Sequence, residues 1–354
     1  MTALEAPAGG AGWPALPGGL VAVHAHPDDE TLSTGALIAS FAAAGLPVTV
    51  VTCTRGERGE VIALPGTTSA GLAALEGDGP ALAAHRSGEL AAALLALGGG
   101  RPGAVRHVFL DELPPSASSD DGGAGARFED SGMVWLAPGV AGGDPKAVGG
   151  FVRVPLDDAA ARLAALVRRL RPSVVATYEP GGGYGHPDHV RAHDVTVRAL
   201  ALAADEVRRP ALWRRVEPVS VVLGHRAALA ADPAVRALAD RAGLSLPAAD
   251  DPLPAVARVD EALAGAAASG DLATVEVRPV LDRVLAAMAA HATQIQHAQA
   301  HDAAQAHRAT LREGGVADPL GFYALSNGVL AAVGARETYL VARDAQVTSV
   351  GSAR

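Results

Sequence analysis

The chain has 354 residues, 49% of them hydrophobic and 19% charged, a composition that is typical of a globular protein and excludes a disordered one. The formal net charge of −9 gives no electrostatic support to a nucleic-acid partner. The single cysteine, Cys53, excludes an internal disulfide and is compatible with a reducing compartment. Because the first nineteen residues lack a basic region and the apolar runs are short and interrupted by glycine, we expect a cytoplasmic protein without a membrane partner.

Strands and helices alternate along the first half of the chain. Apolar runs rich in β-branched residues predict the strands, and apolar residues at helical spacing predict the helices. In chain order these are a strand over 20–25, a helix over about 31–44, a strand over 48–54, a helix over about 82–97, a strand over 105–110, a helix over about 157–170, a strand over 173–178 and a helix over about 187–207. This order predicts an α/β, Rossmann-like fold, in which a mostly parallel sheet carries helices on both faces.

The other segments are less regular and predict a long loop over 114–150, then a smaller irregular C-terminal subdomain. Within that subdomain we expect a strand in 213–226, a peripheral region over 227–270, a helix over about 276–300 and a final edge strand over 337–343. The predicted divisions are a loosely packed N-terminus (1–17), a Rossmann-like core (18–205), the C-terminal subdomain packed on it (206–345) and a tail (346–354).

Two segments that share the tripeptide His-Pro-Asp follow predicted strands. The first is His26-Pro27-Asp28-Asp29 and the second is His186-Pro187-Asp188-His189. Ligands of open α/β sheets bind beyond the carboxyl ends of the strands, so the two segments can meet at one edge. Histidines, a carboxylate ligand and a spare carboxylate as base are what a catalytic zinc site needs.

The spacing suggests a role for several of these side chains. His26 and Asp29, three residues apart at a strand-to-helix turn, can converge on one ion, and His189 can supply a third ligand. Asp28 is a candidate general base, with a second metal ligand as the alternative. His186 is a candidate to stabilise an oxyanion or to protonate the leaving amine, and the carboxylate of Asp188 can orient it and raise its pKa. An acidic helix N-terminus explains the first segment alone, but not two matched segments.

Other residues keep two interpretations each. His193 forms a rival HxxxH pair with His189 or is a packed residue, and His24 is a core histidine or a site residue. Tyr184, in the loop GGGYG, is a hydrogen-bond donor to a substrate carbonyl or a surface residue. We expect the histidines of the C-terminal part to lie on a solvated helix face and not to form a second metal site; they are His291, His297, His301 and His307.

The motifs AHPDDE and YEPGGGYGHPDH resemble those of the LmbE-like (PIG-L) metal-dependent deacetylase family. The resemblance extends through VTCTRGERGEVI, HRSGEL, RFEDSGM, HATQIQ and FYALSN, and so through most of the chain. Within the family the pattern is most similar to members that remove acetate from N-acetylglucosaminyl-inositol in mycothiol biosynthesis. The resemblance therefore implies a hydrolase that acts on a small molecule, and it leaves an oligomeric partner undefined.

The resemblance also implies a role for each matching residue. The metal ligands would be His26, Asp29 and His189, and the catalytic residues would be Asp28, His186, Asp188 and Tyr184. Arg86 and Asp130 would hold the sugar-inositol hydroxyls, with Glu60 as a further contact. The implied cofactor is one divalent metal ion, with Zn²⁺ expected and Fe²⁺ the alternative, since both ions take two histidines and a carboxylate.

Two rival functions stay open. A mycothiol S-conjugate amidase would share the fold and site but cleave a larger amide, and Gly185 before His186 favours the deacetylase, because the amidase pattern resembles proline there. A non-catalytic sugar- or metal-binding protein on the same scaffold would have no need of Asp28.

Overall fold

The structure is a computed structural model that describes residues 18–114, 127–137, 140–143, 149–204, 208–301 and 318–342. Its strands are β1 (Leu20–His24), β2 (Val48–Thr52), β3 (Arg106–Phe109), β4 (Met133–Ala137), β5 (Val140–Gly143), β6 (Val174–Tyr178), β7 (Ala211–Pro218), β8 (Ala257–Arg258), β9 (Leu272–Glu276), β10 (Gln296–Ala300), β11 (Gly321–Ala324), β12 (Leu330–Val333) and β13 (Arg336–Ala342). Its α-helices are α1 (Asp29–Ala43), α2 (Gly79–Leu97), α3 (Leu156–Leu170), α4 (Gly182–Gly185), α5 (Pro187–Ala203), α6 (Val219–Ala231), α7 (Pro233–Ala242), α8 (Asp260–Ser269) and α9 (Leu281–Ala290). The predicted segments 1–17 and 346–354 and residue His307 lie outside the described residues.

The main sheet has the strand order β3-β2-β1-β6-β7-β13-β9, with β8 beside the end of β7. Strands β3 to β7 in this order are parallel, whereas β13 runs antiparallel to both β7 and β9. The predicted Rossmann-like, mostly parallel sheet is therefore confirmed. Because β7, β9 and β13 continue the same sheet, the C-terminal part of the chain shares a sheet with the core, and the predicted boundary at 205/206 stays a prediction.

The central strands are buried on both faces, which explains their nearly continuous apolar sequences. Alternate side chains of β1 point to opposite faces, as the two-residue period of a strand requires. Leu20 and Ala22 pack with residues of α1, α2 and α9, while Val21 and Val23 pack with residues of α3 and α5. Helices therefore cover both faces of the sheet, as the sequence predicts.

Helix α1, which carries the first predicted motif, is held by the last strand. Its backbone departs from helical geometry at Thr34, with φ −140° and ψ 20°. Glu337 of β13 accepts the N–H groups of Ala36 at 2.7 Å and Leu37 at 3.0 Å, and it also accepts the hydroxyl of Tyr339 at 2.6 Å. A buried carboxylate of the C-terminal strand thus stabilises the helix that leads out of the site.

Three predictions about the irregular segments are wrong. The loop predicted over 114–150 contains the β4–β5 hairpin. The helix predicted over 276–300 is limited to α9, because the chain then forms β10 in a small antiparallel sheet with β11 and β12. The predicted edge strand lies inside the main sheet, between β7 and β9, which hydrogen bond to its two sides.

In the described part of the chain, no helix is both long enough and apolar enough to cross a membrane.

Candidate active site

The two His-Pro-Asp segments meet at the carboxyl edge of the main sheet. Strand β1 pairs in parallel with β6, so the loops that follow these strands are neighbours. The strand order changes direction here, because β2 lies on one side of β1 and β6 on the other. Such a crevice is where open α/β sheets bind ligands. The rings of His26 and His189 lie 5.4 Å apart across it.

Asp29 lies between these two histidines. Its Oδ2 is 3.3 Å from Nδ1 of His26, and its Oδ1 is 3.2 Å from Nε2 of His189. The backbone N–H of His26 donates to the same carboxylate at 2.9 Å, which fixes its direction at the start of α1. The structure thus brings the three predicted metal ligands together, and none is more than 5% exposed.

Hydrogen bonds on the far side of each ring determine which nitrogen faces the site. Nδ1 of His189 is 3.1 Å from the carbonyl of Gly182, and Nε2 of His26 is 3.2 Å from the carboxylate of Asp188. Metal-binding histidines typically use their second nitrogen in this way. His189 Nε2 and His26 Nδ1 are therefore the ring nitrogens that face Asp29, and the 3.2 Å approach of His189 Nε2 to Asp29 does not have the geometry of a hydrogen bond.

The charges around His26 also favour a cation at this position. Asp29, Asp130 and Asp188 are each buried, and buried carboxylates are costly unless a positive charge compensates them. Burial opposes a charge on His26, but these carboxylates raise its pKa well above its ordinary value. The donor atoms and the surrounding negative charge fit one divalent metal ion. Two sets of candidate ligand atoms within 4.8 Å of one another overlap here: His26 with His186 and His189, and His26 with Asp130 and Asp188.

His186 differs from the other two histidines in its hydrogen bonds. Its Nδ1 accepts the backbone N–H of Asp188 at 3.1 Å, as the N-cap of α5. Burial, together with the neighbouring His26 and His189, lowers the pKa of His186 well below its ordinary value, so the ring is neutral. A neutral imidazole that accepts at Nδ1 carries its proton on Nε2. His186 can therefore donate a hydrogen bond into the site, which suits an oxyanion donor better than a metal ligand.

The carboxylate of Asp188 makes a different contact from the one predicted. Its Oδ2 faces Nε2 of His26 and accepts the backbone N–H of Ser131 at 2.9 Å. Only the backbone amide of Asp188 reaches His186, because that amide is one of the free N–H groups in the first turn of α5. In the structure the carboxylate of Asp188 therefore contacts one of the predicted metal ligands, and its predicted role in orienting His186 stays a prediction.

Asp28 lies at the rim of this group in an unusual backbone conformation, with φ 116° and ψ −34°. Its carboxylate is 3.4 Å from the guanidinium of Arg86. Burial raises the pKa of Asp28 to about 7, with the charge of Arg86 opposing the rise. A carboxyl group whose pKa lies near neutral pH, and which is not part of the His26–Asp29–His189 group, is suited to accept a proton.

Tyr184 is held beside the histidines by the loop that joins β6 to α5. Its ring stacks on Trp135 of the β4–β5 hairpin at 5.5 Å and meets the ring of His189 edge-on at 4.9 Å. Burial and the nearby Asp29 raise the pKa of Tyr184 well above its ordinary value, so the phenol keeps its proton. Tyr184 is partly buried at the site. Because its hydroxyl keeps the proton, it can act as a hydrogen-bond donor there.

The three predicted substrate contacts have different surroundings. Arg86 is 3% exposed and donates to the carbonyls of Pro27 at 2.6 Å and Gly56 at 2.7 Å, so its hydrogen bonds within the protein already hold it. Asp130 is buried and accepts the N–H of Gly132 at 2.7 Å. Glu60 is exposed and lines a polar cleft of about 560 Å³ whose other charged residues are Glu57, Arg58, Glu76, Arg127 and Glu129.

A second cavity, of about 380 Å³, reaches Asp29, Tyr184 and His189 from the side of the C-terminal strands. Apolar residues of α6, α9 and β12 line part of it, together with charged residues that include Arg215, Glu217 and Arg226.

Sequence reasoning missed two residues that hold the glycine-rich loop. The carboxylate of Glu179, 1% exposed, accepts the N–H groups of Gly181 at 2.6 Å and Gly183 at 2.9 Å. Arg258 of β8 donates to the same carboxylate at 2.6 Å. Glu179 begins the motif EPGGGYG, and that position was the available signal; Arg258 lies in a segment whose pattern gave none.

The two alternative histidines are packed residues. Nδ1 of His193 is 2.8 Å from the carbonyl of Tyr178, so this nitrogen is engaged by a hydrogen bond within the protein. His24 is fully buried, with Nε2 2.9 Å from the hydroxyl of Thr34, and burial lowers its pKa to about 4. The interpretation of His24 as a core histidine is confirmed.

The fold and this site together fit one class of enzyme: a metal-dependent hydrolase built on a Rossmann-like sheet, with histidines and carboxylates gathered at the carboxyl edge of that sheet. The sequence profile of the PIG-L family, described as GlcNAc-PI de-N-acetylase, matches residues 21–200. The chain belongs to this family, and it is therefore a deacetylase, a hydrolase of N-acetyl amide bonds.

The similar proteins include three that bear the name 1D-myo-inositol 2-acetamido-2-deoxy-alpha-D-glucopyranoside deacetylase. The one from Kineococcus radiotolerans is 42% identical over 279 residues, which cover 77% of this chain and 68% of that protein. The one from Streptomyces avermitilis is 40% identical, with 78% and 83% covered. The one from Rhodococcus jostii is 37% identical, with 92% of each chain covered.

Proposed function

We propose that this protein hydrolyses the N-acetyl group of 1D-myo-inositol 2-acetamido-2-deoxy-α-D-glucopyranoside, with glucosaminyl-inositol and acetate as products, as a step of mycothiol biosynthesis. The substrate is taken from the names of the relatives, which match along most of this chain. The observation that supports the chemistry is the group formed by His26, Asp29 and His189, with the rings of His186 and Tyr184 in contact with His189. We also propose a cytoplasmic location, in keeping with the single free cysteine.

His26 through Nδ1, His189 through Nε2 and the carboxylate of Asp29 would hold the metal ion. When bound, the metal supplies Lewis acidity toward the acetyl carbonyl and lowers the pKa of a coordinated water toward ~7. Two histidines and one carboxylate suit zinc, which we propose as the native ion. Ferrous iron takes the same donors, and metal analysis of anaerobically purified protein distinguishes the two.

The remaining steps are assigned to this chain's own residues. Asp28 accepts a proton from the attacking water, for which its pKa of about 7 is well matched. The Nε2–H of His186 and the hydroxyl of Tyr184 donate hydrogen bonds to the oxygen of the acetyl group as it gains negative charge. The carbon–nitrogen bond then breaks, and the proton taken by Asp28 passes to the leaving nitrogen, so that an amine and acetate are released.

The test compares substrates on the purified, metal-loaded protein. The released amine is measured with a fluorescent reagent for N-acetylglucosaminyl-inositol and for a mycothiol S-conjugate. We expect the higher kcat/KM with N-acetylglucosaminyl-inositol. Faster cleavage of the conjugate would identify an amidase, and one equivalent of metal without turnover of either compound would identify a binding protein.

A further inference from the structure

The peptide unit that joins Pro27 to Asp28 is held at both ends by buried ionic side chains. Its carbonyl oxygen accepts Nη2 of Arg86 at 2.6 Å, and its N–H donates to Oε2 of Glu30 at 3.0 Å. The orientation of this peptide plane sets φ of Asp28, since φ is the rotation about the bond that joins the plane to Cα. Arg86 and Glu30 thus contact opposite ends of the unit that determines where the Asp28 side chain begins.

The backbone of Asp28 needs such support. Among the described residues, only Asp28, Arg171 and His297 combine a side chain other than hydrogen with a positive φ. Backbone conformations of this kind persist when the surrounding structure holds them, and they concentrate at functional sites. The φ of 116° at Asp28 therefore needs neighbouring groups that stabilise it, and the carboxylate of Glu30 is one such group.

Glu30 is in turn held by a residue from a distant part of the chain. Its Oε1 is 2.8 Å from Nε2 of His291, which follows α9, and it accepts the hydroxyl of Thr31 at 2.5 Å. Glu30 and His291 are both 0% exposed, so water does not compete for either group. His291 was expected on a solvated helix face, and this expectation is wrong, because the chain turns inward after α9 and places the ring beneath the site.

We propose that Glu30, oriented by His291, is a positioning residue that fixes the Pro27–Asp28 peptide and so directs the Asp28 carboxylate toward the site. The assignment rests on the proposed function, in which Asp28 is the base. Neither Glu30 nor His291 belongs to the group of His26, Asp29 and His189, so their effect is exerted through Asp28. The buried pair connects the C-terminal part of the chain to the catalytic loop.

The first test is the variant Glu30→Gln in the metal-loaded protein. Three donors converge on Glu30, namely Asp28 N–H, Thr31 O–H and His291 Nε2–H, and glutamine offers one acceptor oxygen in place of two. We expect kcat to fall on the order of 10²-fold, the loss that a misplacement of about 1 Å causes, with KM and metal content unchanged. An unchanged kcat would overturn the proposal.

A double-mutant cycle separates positioning from general damage. In the Asp28→Asn background the base is already absent, so Glu30→Gln should produce no further loss of kcat. Equal losses in both backgrounds would overturn the proposal. These rates are measured in single-turnover experiments with the enzyme in excess, because the background activity is low.

Three further variants serve as a control, a second disruption and its rescue. Glu89, 6% exposed, accepts the N–H and hydroxyl of Thr293, two residues beyond His291, and makes neither a hydrogen bond nor an ion pair with Asp28. Glu89→Gln should lower Tm but keep kcat near the wild-type value, and a loss equal to that of Glu30→Gln would contradict the proposal. His291→Leu should reduce kcat, whereas His291→Gln, whose amide can still donate to Glu30, should restore most of it.

A structural readout keeps this inference separate from the proposed function. If the wild-type protein turns over no N-acetylglucosaminyl-inositol, the proposed function fails, and crystal structures of wild type and Glu30→Gln then decide the positioning role. A rotated Pro27–Asp28 peptide in the variant supports the role. The same peptide orientation and the same φ of Asp28 in both proteins would refute it.

Discussion

Replacement of Asp28 by asparagine tests the assignment of the base more sharply than replacement by alanine. Asparagine tolerates positive φ better than other residues with a side chain, so the backbone at φ 116° is preserved. It also matches the size of aspartate and keeps a polar atom near Arg86. The substitution therefore removes one capability, the acceptance of a proton, and leaves the group of His26, Asp29 and His189 in place.

The expected loss follows from the role and the geometry. A positioned general base contributes about 10²–10⁴-fold to the rate, which corresponds to about 2.7–5.4 kcal/mol of activation free energy. Because burial already raises the pKa of Asp28, a neutral side chain is not penalised there, and the Tm of the metal-free variant should be no lower than that of wild type. KM should change little, since the proposed role concerns the transition state.

The assay combines kcat from the released amine, metal content by mass spectrometry and Tm by calorimetry. One equivalent of metal, an unchanged Tm and a kcat reduced by two to four powers of ten is the expected outcome. Wild-type turnover in Asp28→Asn would refute the assignment of the base. Loss of the metal from this variant would instead support the alternative in which Asp28 is a ligand.

Four further variants, one of them a control, test the metal ligands, the stability of the fold and the pH dependence of that stability. His189→Ala removes the ring nitrogen that faces Asp29 and should abolish stoichiometric metal binding. The control is His193→Ala, which should retain the metal, because the wild-type ring of His193 contacts the carbonyl of Tyr178. Full metal occupancy in His189→Ala would contradict the ligand assignment. Glu337→Ala leaves three donors of α1 and β13 without an acceptor, which costs about 1–3 kcal/mol for each donor. The free energy of unfolding, measured in urea, should therefore fall by at least ~3 kcal/mol. A loss below ~1 kcal/mol would show that α1 does not depend on this carboxylate. Burial lowers the pKa of His107 to about 4, from the ordinary value of 6.5. As the pH falls, the unfolded chain therefore binds a proton at this residue before the folded chain does. The free energy of unfolding should fall by on the order of 1–3 kcal/mol between pH 6.5 and pH 4 because of this group. His107→Gln should make the unfolding free energy less dependent on pH over this range. The same pH dependence in the variant and in wild type would show that protonation of His107 does not destabilise the fold.

Local patterns predicted the parts of the fold that depend on near neighbours. The buried strands β1, β2 and β6 and the helices between them follow from apolar runs and helical spacing, and their order implied the parallel sheet. The patterns failed where a distant partner decides the structure. Strand β13 is inside the sheet because β9 pairs with its outer side, and nothing in the local sequence of β13 specifies that neighbour.

The site shows the same division. The sequence alone brought forward His26, Asp29 and His189, because their residue types and their positions after strands are visible in two short motifs. The tertiary structure decided which side chain acts on which: Asp188 contacts His26, and Arg86 and Glu30 hold the peptide before Asp28. Glu30 and His291 are 261 residues apart, and their contact depends on the path of the whole chain. Spacing along the chain predicts which groups a turn presents, whereas the partners of buried charges are determined by packing, which only the folded chain specifies.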